Sequence, residues 1–385
     1  MNNFEFYNPT KILFGTETIA KLDSLTPAGA RVLILFGGES ARKNGTLDEV
    51  KSALGDRPIF EFGGIEANPS YETMMRAVEL VRSENIAFLL AVGGGSVIDG
   101  TKFVAAAANY AGEPWSILET FGQHIESALP FGTVLTLPAT GSEMNCGSVI
   151  TRRETSTKLP FMSSYVFPQF SILDPTKTYT LPTRQIANGV VDAFIHVIEQ
   201  YLTYPAGGMV QDRFAEGLLQ TLVEIGPKVL ATPEDADLRA NLMWVASMAL
   251  NGLIGAGVPQ DWATHMIGHE LTAAYEIDHA RTLAIVLPSL LQVQRKDKHE
   301  KLLQYAERVW AITEGDEDQR IDEAIRRTVA FFESLGMQTH LSDYGLDQNS
   351  IDLLLKQLEA HGMTALGEHK NISLDVSRTI LEGAL

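Results

Sequence analysis

Short apolar runs alternate with helical patterns over about the first 180 residues, and this alternation constrains the fold more than any other feature of the chain. Runs that are apolar throughout indicate strands buried on both faces, and strands joined by helices indicate a mainly parallel sheet. The predicted strands are 11–14, 31–36, 59–62, 88–92, 133–137 and 170–173, and the predicted helices between them are 46–54, 71–83 and 97–109. A segment with a charged middle, 148–161, is predicted to form a hairpin laid on this unit.

The pattern changes beyond about residue 180, because helical periodicity dominates there and convincing strands disappear. The candidate helices are 184–201, 211–225, 238–253, 261–275, 301–313, 321–335 and 351–360. We therefore predict an α/β domain over residues 1–180 and an all-α domain over residues 181–385.

Composition restricts the possible partners. A formal net charge of −18 argues against nucleic acid or an anionic membrane, since either partner requires a basic face. No apolar stretch approaches the roughly 20 residues of a membrane span, and the N-terminus has no pattern of a signal peptide. One cysteine, Cys146, excludes both an intrachain disulfide and a cysteine-based zinc site. We expect a cytoplasmic protein with a small-molecule ligand.

Two pairs of residues in the helical half have the spacing of metal ligands. Asp192 and His196 stand four residues apart, as do His265 and His269, so each pair projects from one helix face, and His279 follows in a predicted loop. Spacing alone admits all five residues equally. A structural role for any one histidine is the simpler alternative, but both pairs lie in apolar segments, where unpaired ionisable groups are costly. A carboxylate with imidazoles predicts one divalent ion, Zn²⁺ or Fe²⁺.

A glycine-rich segment follows the predicted strand 88–92. Gly93, Gly94, Gly95 and Ser96 lead from that strand into a helix predicted to begin near residue 97. Strand, glycines and helix in this order allow a phosphate to approach backbone amides at a helix start. A tight turn is the alternative, and the sequence is not the GxGxxG fingerprint of Rossmann folds.

A second glycine pair follows the strand 31–36. Gly37, Gly38 and Ser40 leave space and a donor for the extra phosphate of NADP, whereas NAD-preferring enzymes often place a carboxylate there. Glu39 opposes this assignment, because a carboxylate that points inward repels phosphate. NADP(H) is therefore predicted, and NAD(H) is the less favoured cofactor.

A third cluster follows the strand 133–137. Thr136, Thr140 and Ser142 place hydroxyl groups beside glycine at the end of a strand, where they are predicted to line the same cofactor site. An ordinary polar turn is the equal alternative.

Together these motifs resemble the iron-containing (group III) alcohol dehydrogenases, and within them the NADPH-dependent aldehyde reductase and butanol dehydrogenase branch. The matching segments are Gly93-Gly94-Gly95-Ser96 with Asp99, Pro138-Ala139-Thr140-Gly141-Ser142-Glu143, Asp192-x3-His196, and His265-x3-His269 followed by His279. The resemblance covers essentially the whole chain. It implies a dinucleotide-binding N-terminal domain that includes Asp99, an all-helical C-terminal domain, an active site in the cleft between them, and a homodimer.

The resemblance also implies roles for single residues. It assigns Asp192, His196, His265 and His279 to the metal and places His269 beside the site without being a ligand. It places Lys158 near the cofactor ribose, and Gly38 where NAD-preferring relatives carry an aspartate.

The predicted function is NADP(H)-linked interconversion of small primary alcohols and aldehydes, with the metal as Lewis acid and His269 and Lys158 as candidates for the proton relay. Two alternatives stay open. A dehydroquinate-synthase-type lyase shares this architecture but needs a basic pocket for its anionic substrate, and only Arg281 lies near the ligand motifs. A metal-stabilised binding protein would have a closed four-ligand site and no cofactor.

Overall fold

The computed structural model describes residues Met1–Leu385, which form two compact units. The sheet unit comprises Tyr7–Pro182 and Pro233–Ser247, and the helical unit comprises Met1–Phe6, Thr183–Thr232 and Met248–Leu385. These units differ from the predicted domains, 1–180 and 181–385, chiefly in that two short segments change sides. The domain division itself stays a prediction. No helix combines the length and the apolar character needed to span a bilayer.

Eight strands form one sheet and one hairpin. The six strands of the sheet are β1 (Lys11–Phe14), β2 (Val32–Phe36), β3 (Ile59–Phe62), β4 (Phe88–Gly94), β5 (Phe131–Leu137) and β8 (Phe170–Leu173), and the hairpin consists of β6 (Gly147–Arg152) and β7 (Thr157–Met162). Every pair within the sheet is parallel, in the order β1-β8-β5-β4-β2-β3, and the hairpin is antiparallel. The predicted parallel sheet and the predicted hairpin are both confirmed.

The sheet is buried on both faces, which explains its continuously apolar strands. On β2, Leu33 and Leu35 belong to one buried core, whereas Val32 and Ile34 belong to the core on the opposite face. The order of strands reverses between β2 and β4, because β3 extends the sheet to one side and β5 to the other. Ligands of open α/β sheets bind beyond the carboxyl ends of the strands at such a reversal.

Six helices accompany the strands of the sheet unit. They are α1 (Leu22–Leu25), α2 (Ser40–Lys43), α3 (Thr46–Ala53), α4 (Tyr71–Ser83), α5 (Gly95–Asn109) and α6 (Ser116–Glu119). The single-turn helices α1, α2 and α6 are too short to show a helical period in the sequence. α5 begins two residues before the predicted start at 97, because β4 passes into the helix without an intervening loop.

Nine further helices follow. They are α7 (Thr183–Tyr201), α8 (Met209–Ala231), α9 (Ala236–Ala249), α10 (Ala263–Tyr275), α11 (His279–Val293), α12 (His299–Arg308), α13 (Glu317–Ser334), α14 (Gln348–Ala360) and α15 (Leu374–Glu382). All seven predicted helices are present, and no strand follows β8. Most of α9 packs with the sheet unit, where Met243 is part of a buried core.

The prediction that His279 lies in a loop is wrong, since His279 is the first residue of α11. This helix was missed because residues 282–287 are all buried and Pro288 lies within the helix. A helix that is buried all round carries no polar face by which the sequence could reveal it. α15 was also not predicted.

Candidate metal centre and cofactor loops

α7 brings the first two predicted ligands together. Asp192 and His196 project from one face of this helix, and both are buried, with 3% and 5% of their surface exposed. Asp192 Oδ1 lies 3.7 Å from His196 Nε2. The other α7 residues from 189 to 201 are buried as well. Burial of the two polar side chains therefore follows from the position of the helix.

α10 and α11 supply two further imidazoles. His265 Nε2 and His279 Nε2 each lie 3.8 Å from Asp192 Oδ1, and the ligand atoms of these three residues all lie within 4.8 Å of one another. His196 joins the group through Asp192, and its ring stacks on that of His265 with centroids 4.7 Å apart. Two ligand atoms at about 2.1 Å from a tetrahedral ion are roughly 3.4 Å apart. The observed spacing therefore fits a single divalent cation.

Two atoms that face this group make no hydrogen bond. Asp192 Oδ1 and His265 Nε2 are both buried without one, which costs about 1–3 kcal/mol for each atom unless another partner is supplied. Burial alone raises the pKa of Asp192, but the surrounding imidazoles outweigh burial and lower it well below its usual range. Burial lowers the pKa of His196 to about 4. An ionised carboxylate beside a neutral imidazole is the donor chemistry that a divalent transition metal requires.

A second carboxylate contacts His265 at Nδ1, the ring nitrogen that does not face Asp192. Glu199, on α7, pairs with Nδ1 of His265 and accepts hydrogen bonds from the backbone N–H groups of Thr264 and His265 at 2.7 and 3.3 Å. Burial lowers the pKa of His265, but the negative charges of Glu199 and Asp192 have the larger effect and raise that pKa to about 9. Sequence reasoning missed Glu199, because the ring that it contacts is 66 residues away in the chain.

His269 lies beside the group. Its ring centroid is 5.1 Å from that of His279 and 6.2 Å from that of His265, and the residue is buried. The three residues whose ligand atoms lie within 4.8 Å of one another include neither His269 nor His196, but His196 Nε2 lies 3.7 Å from Asp192 Oδ1. The structure thus places His269 next to the candidate ligands.

The start of α11 is tied to α7 by charge. Asp278, which precedes His279, accepts hydrogen bonds from Arg184 Nε at 2.7 Å and from Asn188 Nδ2 at 2.8 Å, and Arg281 Nε lies 3.7 Å away. These contacts fix where His279 enters the group. They also pair both arginines with a carboxylate of the chain.

In the sheet unit, the two glycine-rich segments meet at the reversal of strand order. A Cβ atom on Gly37 would lie 3.6 Å from Val97 Cγ2, and one on Gly93 would lie 2.5 Å from the same atom. The Val97 side chain, in the first turn of α5, therefore packs against both segments. No side chain caps the start of α5, so its first amides are available to an anion.

Close packing demands the last two glycines of the triplet. A Cβ on Gly94 would lie 2.9 Å from Leu137 Cβ, and one on Gly95 would lie 2.4 Å from Thr140 Oγ1. The predicted cofactor residue Thr140 thus covers Gly95. Thr136 lies near the end of β5 and is partly buried.

Gly38 and Ser40 stand in a different environment. Both are exposed, and a Cβ on Gly38 would meet no atom within 4 Å. Glu39 is exposed as well and lies 4.0 Å from Arg42 Nε. Arg42 is in turn held by Glu61 at 2.8 Å. The fold therefore does not require glycine at position 38.

Asp99 and Ser142 belong to a network of protein hydrogen bonds. Ser142 Oγ donates to Asp99 Oδ1 at 2.5 Å, and Val149 N donates to Asp99 Oδ2 at 3.0 Å. Lys102 Nζ donates to Ser142 Oγ at 2.8 Å, to Asn145 Oδ1 and to the carbonyl oxygen of Gly147. This network joins α5 to the turn after β5 and to the hairpin. Sequence reasoning missed Lys102, which is fully buried in an apolar helix.

Lys158 reaches the glycine triplet through an asparagine. Its Nζ donates to Asn68 Oδ1 at 2.9 Å, and the backbone N–H of Asn68 donates to Ser96 Oγ at 3.3 Å. The hairpin residue Lys158 is thereby positioned beside the residue that follows the glycines.

A donor set for one divalent cation and glycine segments at the sheet reversal are the two parts expected of a metal-dependent dehydrogenase that uses a dinucleotide. Comparison with protein families agrees: an "Iron-containing alcohol dehydrogenase" model matches residues 9–175, and a "Fe-containing alcohol dehydrogenase family, C-terminal" model matches residues 186–375. The chain belongs to the iron-containing alcohol dehydrogenase family, whose members are oxidoreductases.

Individual relatives cover the whole chain. The NADPH-dependent aldehyde reductase YqhD of Escherichia coli is 63% identical over 100% of both chains, and a crystal structure of E. coli YqhD superposes with a TM-score of 0.99, covering 100% of this chain and 99% of that one. A probable NADH-dependent butanol dehydrogenase of Bacillus subtilis is 41% identical over 100% of both chains. An NADH-dependent butanol dehydrogenase of Thermotoga maritima has a TM-score of 0.94 at 35% identity, covering 100% of this chain and 99% of that one.

Proposed function

We propose that the chain is a metal-dependent, NADP(H)-linked enzyme that interconverts small aldehydes and primary alcohols. The observation that carries this proposal is the buried group around Asp192 Oδ1, in which that oxygen and His265 Nε2 make no hydrogen bond. We assign Asp192, His196, His265 and His279 as ligands of one ion, Zn²⁺ or Fe²⁺. The family of the chain, and its relative named an aldehyde reductase, support this reaction class over the lyase alternative.

The bound ion would supply a Lewis acid for the carbonyl oxygen, and the reduced nicotinamide would supply the hydride. We assign to His269, buried beside the ligand group, the transfer of the proton that the product alcohol requires. Lys158, held by Asn68, is assigned a position at the cofactor ribose. Replacing His269 with Gln should flatten the pH dependence of kcat while leaving metal content unchanged.

The cofactor assignment rests on the end of β2 and the segment after β4. Open space at Gly38 and the exposed hydroxyl of Ser40 leave room for the 2′-phosphate of NADP, and Glu39 is exposed. We assign Gly37, Gly93, Gly94, Gly95 and Ser96 to the cofactor phosphates, and Asp99, Thr136, Thr140 and Ser142 to support of that site. Among the relatives, the 63% identical reductase is named NADPH-dependent, and the butanol dehydrogenases at 41% and 35% are named NADH-dependent.

Cofactor preference is tested by kcat/KM with NADPH and with NADH for the wild type and for Gly38→Asp. The wild type should prefer NADPH, and the substitution should reverse the preference, because a carboxylate at position 38 repels phosphate. Glu39→Gln is the control and should leave the preference within about twofold. A wild type that prefers NADH would contradict the assignment.

The metal centre is tested with His265→Ala. We expect the variant to lose both bound metal, measured by elemental analysis, and aldehyde reduction, while its circular dichroism spectrum stays that of the wild type. His299→Ala, at the partly exposed start of α12, is the matched control and should keep both. Retention of metal and turnover in His265→Ala would contradict the proposal. Oxidation of NADPH that depends on added aldehyde distinguishes a reductase from a lyase.

We also propose a homodimer that resides in the cytoplasm. β1 is an edge strand of the sheet, and the exposed rings of Phe14 and Trp244 pack edge to face beside it with centroids 5.8 Å apart. Sedimentation equilibrium should give twice the chain mass of 42.1 kDa, and Phe14→Arg should shift it toward one chain mass if this edge forms the interface. Cell fractionation tests the compartment.

A further inference from the structure

Glu199 contacts the segment that carries His265 through three separate acceptors. It lies on α7, three residues after His196, and its side chain is 1% exposed. Its backbone carbonyl oxygen accepts a hydrogen bond from Asp261 N at 2.8 Å. Its two carboxylate oxygens accept the others. All three acceptors of Glu199 are therefore occupied by residues 261–265.

One carboxylate oxygen caps α10 from outside that helix. Glu199 Oε1 accepts from the backbone N–H groups of Thr264 at 2.7 Å and His265 at 3.3 Å. The residue at the cap position, Trp262, has a φ of +66° and provides no side-chain cap. Glu199 therefore satisfies amides that every helix start leaves open, and the negative charge also suits the helix dipole.

The other carboxylate oxygen meets the imidazole of His265. Oε2 pairs with Nδ1 of the ring. An ionised carboxylate only accepts hydrogen bonds, so the proton of a neutral ring must stand on Nδ1. Nε2 then holds a lone pair, and it is this atom that lies 3.8 Å from Asp192 Oδ1 without a hydrogen bond. Two acceptors left facing each other indicate a cation between them.

We propose that Glu199 is a positioning residue that fixes His265 in its Nδ1–H tautomer and so presents Nε2 to the divalent cation. The inference rests on the proposed metal centre, because it assigns to Glu199 the control of one ligand of that centre. Outer carboxylates that orient ligating imidazoles commonly change metal affinity 10- to 100-fold.

Replacement by glutamine exposes the role, because an amide has one acceptor and one donor. If the amide oxygen stays on the α10 amides, its NH₂ group faces Nδ1, and the ring must accept there. The proton of His265 then moves to Nε2 and blocks the ligand atom. If the amide is reversed, its NH₂ group opposes two backbone N–H groups. Aspartate keeps two acceptors at the cost of a shorter reach.

The experiment measures the tautomer and metal affinity separately. Long-range ¹H–¹⁵N spectra of metal-free protein with ¹⁵N-labelled histidine, recorded above pH 9 where the His265 ring is neutral and assigned with His265→Gln, should show Nδ1–H for His265 in the wild type and in Glu199→Asp. Glu199→Gln should show Nε2–H. Competition between protein and a chelator for Zn²⁺ should give a dissociation constant 10- to 100-fold higher for Glu199→Gln than for the wild type.

Asp261→Asn is the matched control for a role that is merely structural. Asp261 Oδ1 caps the same helix through Ala263 N at 3.0 Å, and Asp261 Oδ2 pairs with the buried Lys298 Nζ at 2.9 Å. We expect this variant to unfold at a lower temperature, with the tautomer unchanged and with Zn²⁺ affinity within about threefold of the wild type.

Three results would overturn the inference. They are an Nδ1–H tautomer in Glu199→Gln, a Zn²⁺ affinity equal in Glu199→Gln and Asp261→Asn, and an Nε2–H tautomer in the wild type. If Glu199→Gln fails to fold, an Nε2–H tautomer in Glu199→Asp contradicts the inference on its own. A wild type that binds no Zn²⁺ or Fe²⁺ would instead refute the proposed metal centre, and the tautomer spectra of metal-free protein would still report whether Glu199 fixes the ring.

Discussion

The ligand group of the helical unit and the glycine-rich end of the sheet unit satisfy their polar atoms in opposite ways. In the first, Asp192 Oδ1 and His265 Nε2 are buried and make no hydrogen bond. In the second, Asp99 and Ser142 bond to each other and to Lys102 or the hairpin backbone. In the helical unit, Asp192 Oδ1 and His265 Nε2 are thus left to coordinate an ion. In the sheet unit, Asp99 and Ser142 are held in hydrogen bonds that stabilise the fold.

Of the substitutions that test this comparison, Asp192→Asn should have the largest effect. Losing the ionised ligand should reduce kcat/KM for aldehyde reduction by at least about a thousandfold, since the Lewis acid contributes several kcal/mol. The metal-free variant should also unfold at a lower temperature than metal-free wild type at pH 7, because the imidazoles that lower the pKa of Asp192 stabilise its ionised form in the folded protein. Steady-state kinetics and thermal unfolding in a chelator measure the two effects. A variant that keeps the kcat/KM of the wild type would remove Asp192 from the metal centre.

Lys102→Met should have the largest effect on the stability of the sheet unit. Removing one member of a buried charged network costs about 3 kcal/mol, and the expected loss lies in the free energy of unfolding measured with urea at pH 7. Burial lowers the pKa of Lys102 from 10.5 to about 8, although Asp99 opposes the shift. The exposed Lys356→Met is the control and should change stability by less than about 0.5 kcal/mol.

That lowered pKa also predicts how the effect depends on pH. The folded protein releases the Lys102 proton more easily than the unfolded chain does, so the ionised lysine costs stability below about pH 8. This cost disappears as the pH rises from about 8 toward 10.5. The stability difference between wild type and Lys102→Met should therefore grow over that range, and a difference that stays constant would contradict the lowered pKa.

Gly95→Ala should have an intermediate effect. The added Cβ would lie 2.4 Å from Thr140 Oγ1, and overpacking of this kind costs about 1–3 kcal/mol. The double variant Gly95→Ala/Thr140→Gly removes the clashing side chain and should recover part of the loss in urea unfolding. No recovery would mean that backbone conformation, not Thr140, excludes a side chain at position 95.

Gly38→Ala should have the smallest effect on stability, within about 0.5 kcal/mol, because its Cβ would meet no atom within 4 Å. Any change should appear in KM for NADPH. This variant therefore separates a glycine kept for the cofactor from Gly95, which packing requires, and a marked loss of stability would remove that distinction.

Local patterns predicted most helices and strands, and they singled out candidate ligands of which the structure groups Asp192, His265 and His279. The strands were visible because β2 and its neighbours are apolar on both faces. Asp192 and His196 were visible because four residues bring two side chains to one helix face. Three further residues lacked such a signal: Glu199 contacts a ring 66 residues away, Lys102 reaches Ser142 across 40 residues, and Asn68 joins Lys158 across 90 residues. Contacts of this range depend on tertiary structure and leave no period in the sequence.

The same limit explains the clearest failure. The residues from 282 to 287 of α11 are all buried, so this stretch has no polar face to mark a helix, and His279 was assigned to a loop. The cofactor role of Asp99 and Ser142 stays a prediction, and their side chains hydrogen-bond to each other.

The segment Pro233–Ser247 has a consequence for the order in which the chain folds. Met243 belongs to a buried core of the sheet unit, Ser247 Oγ donates to Glu143, and Trp244 packs on Phe14. On the ribosome, the sheet unit cannot complete its core when residue 182 emerges, because these contacts are still to be synthesised. α7 and α8 leave the ribosome first, so their apolar surfaces are exposed while the sheet unit is unfinished. Truncation at residue 180 should consequently yield an aggregating fragment, whereas a chain rearranged to place 233–247 directly after 182 should let the sheet unit fold earlier.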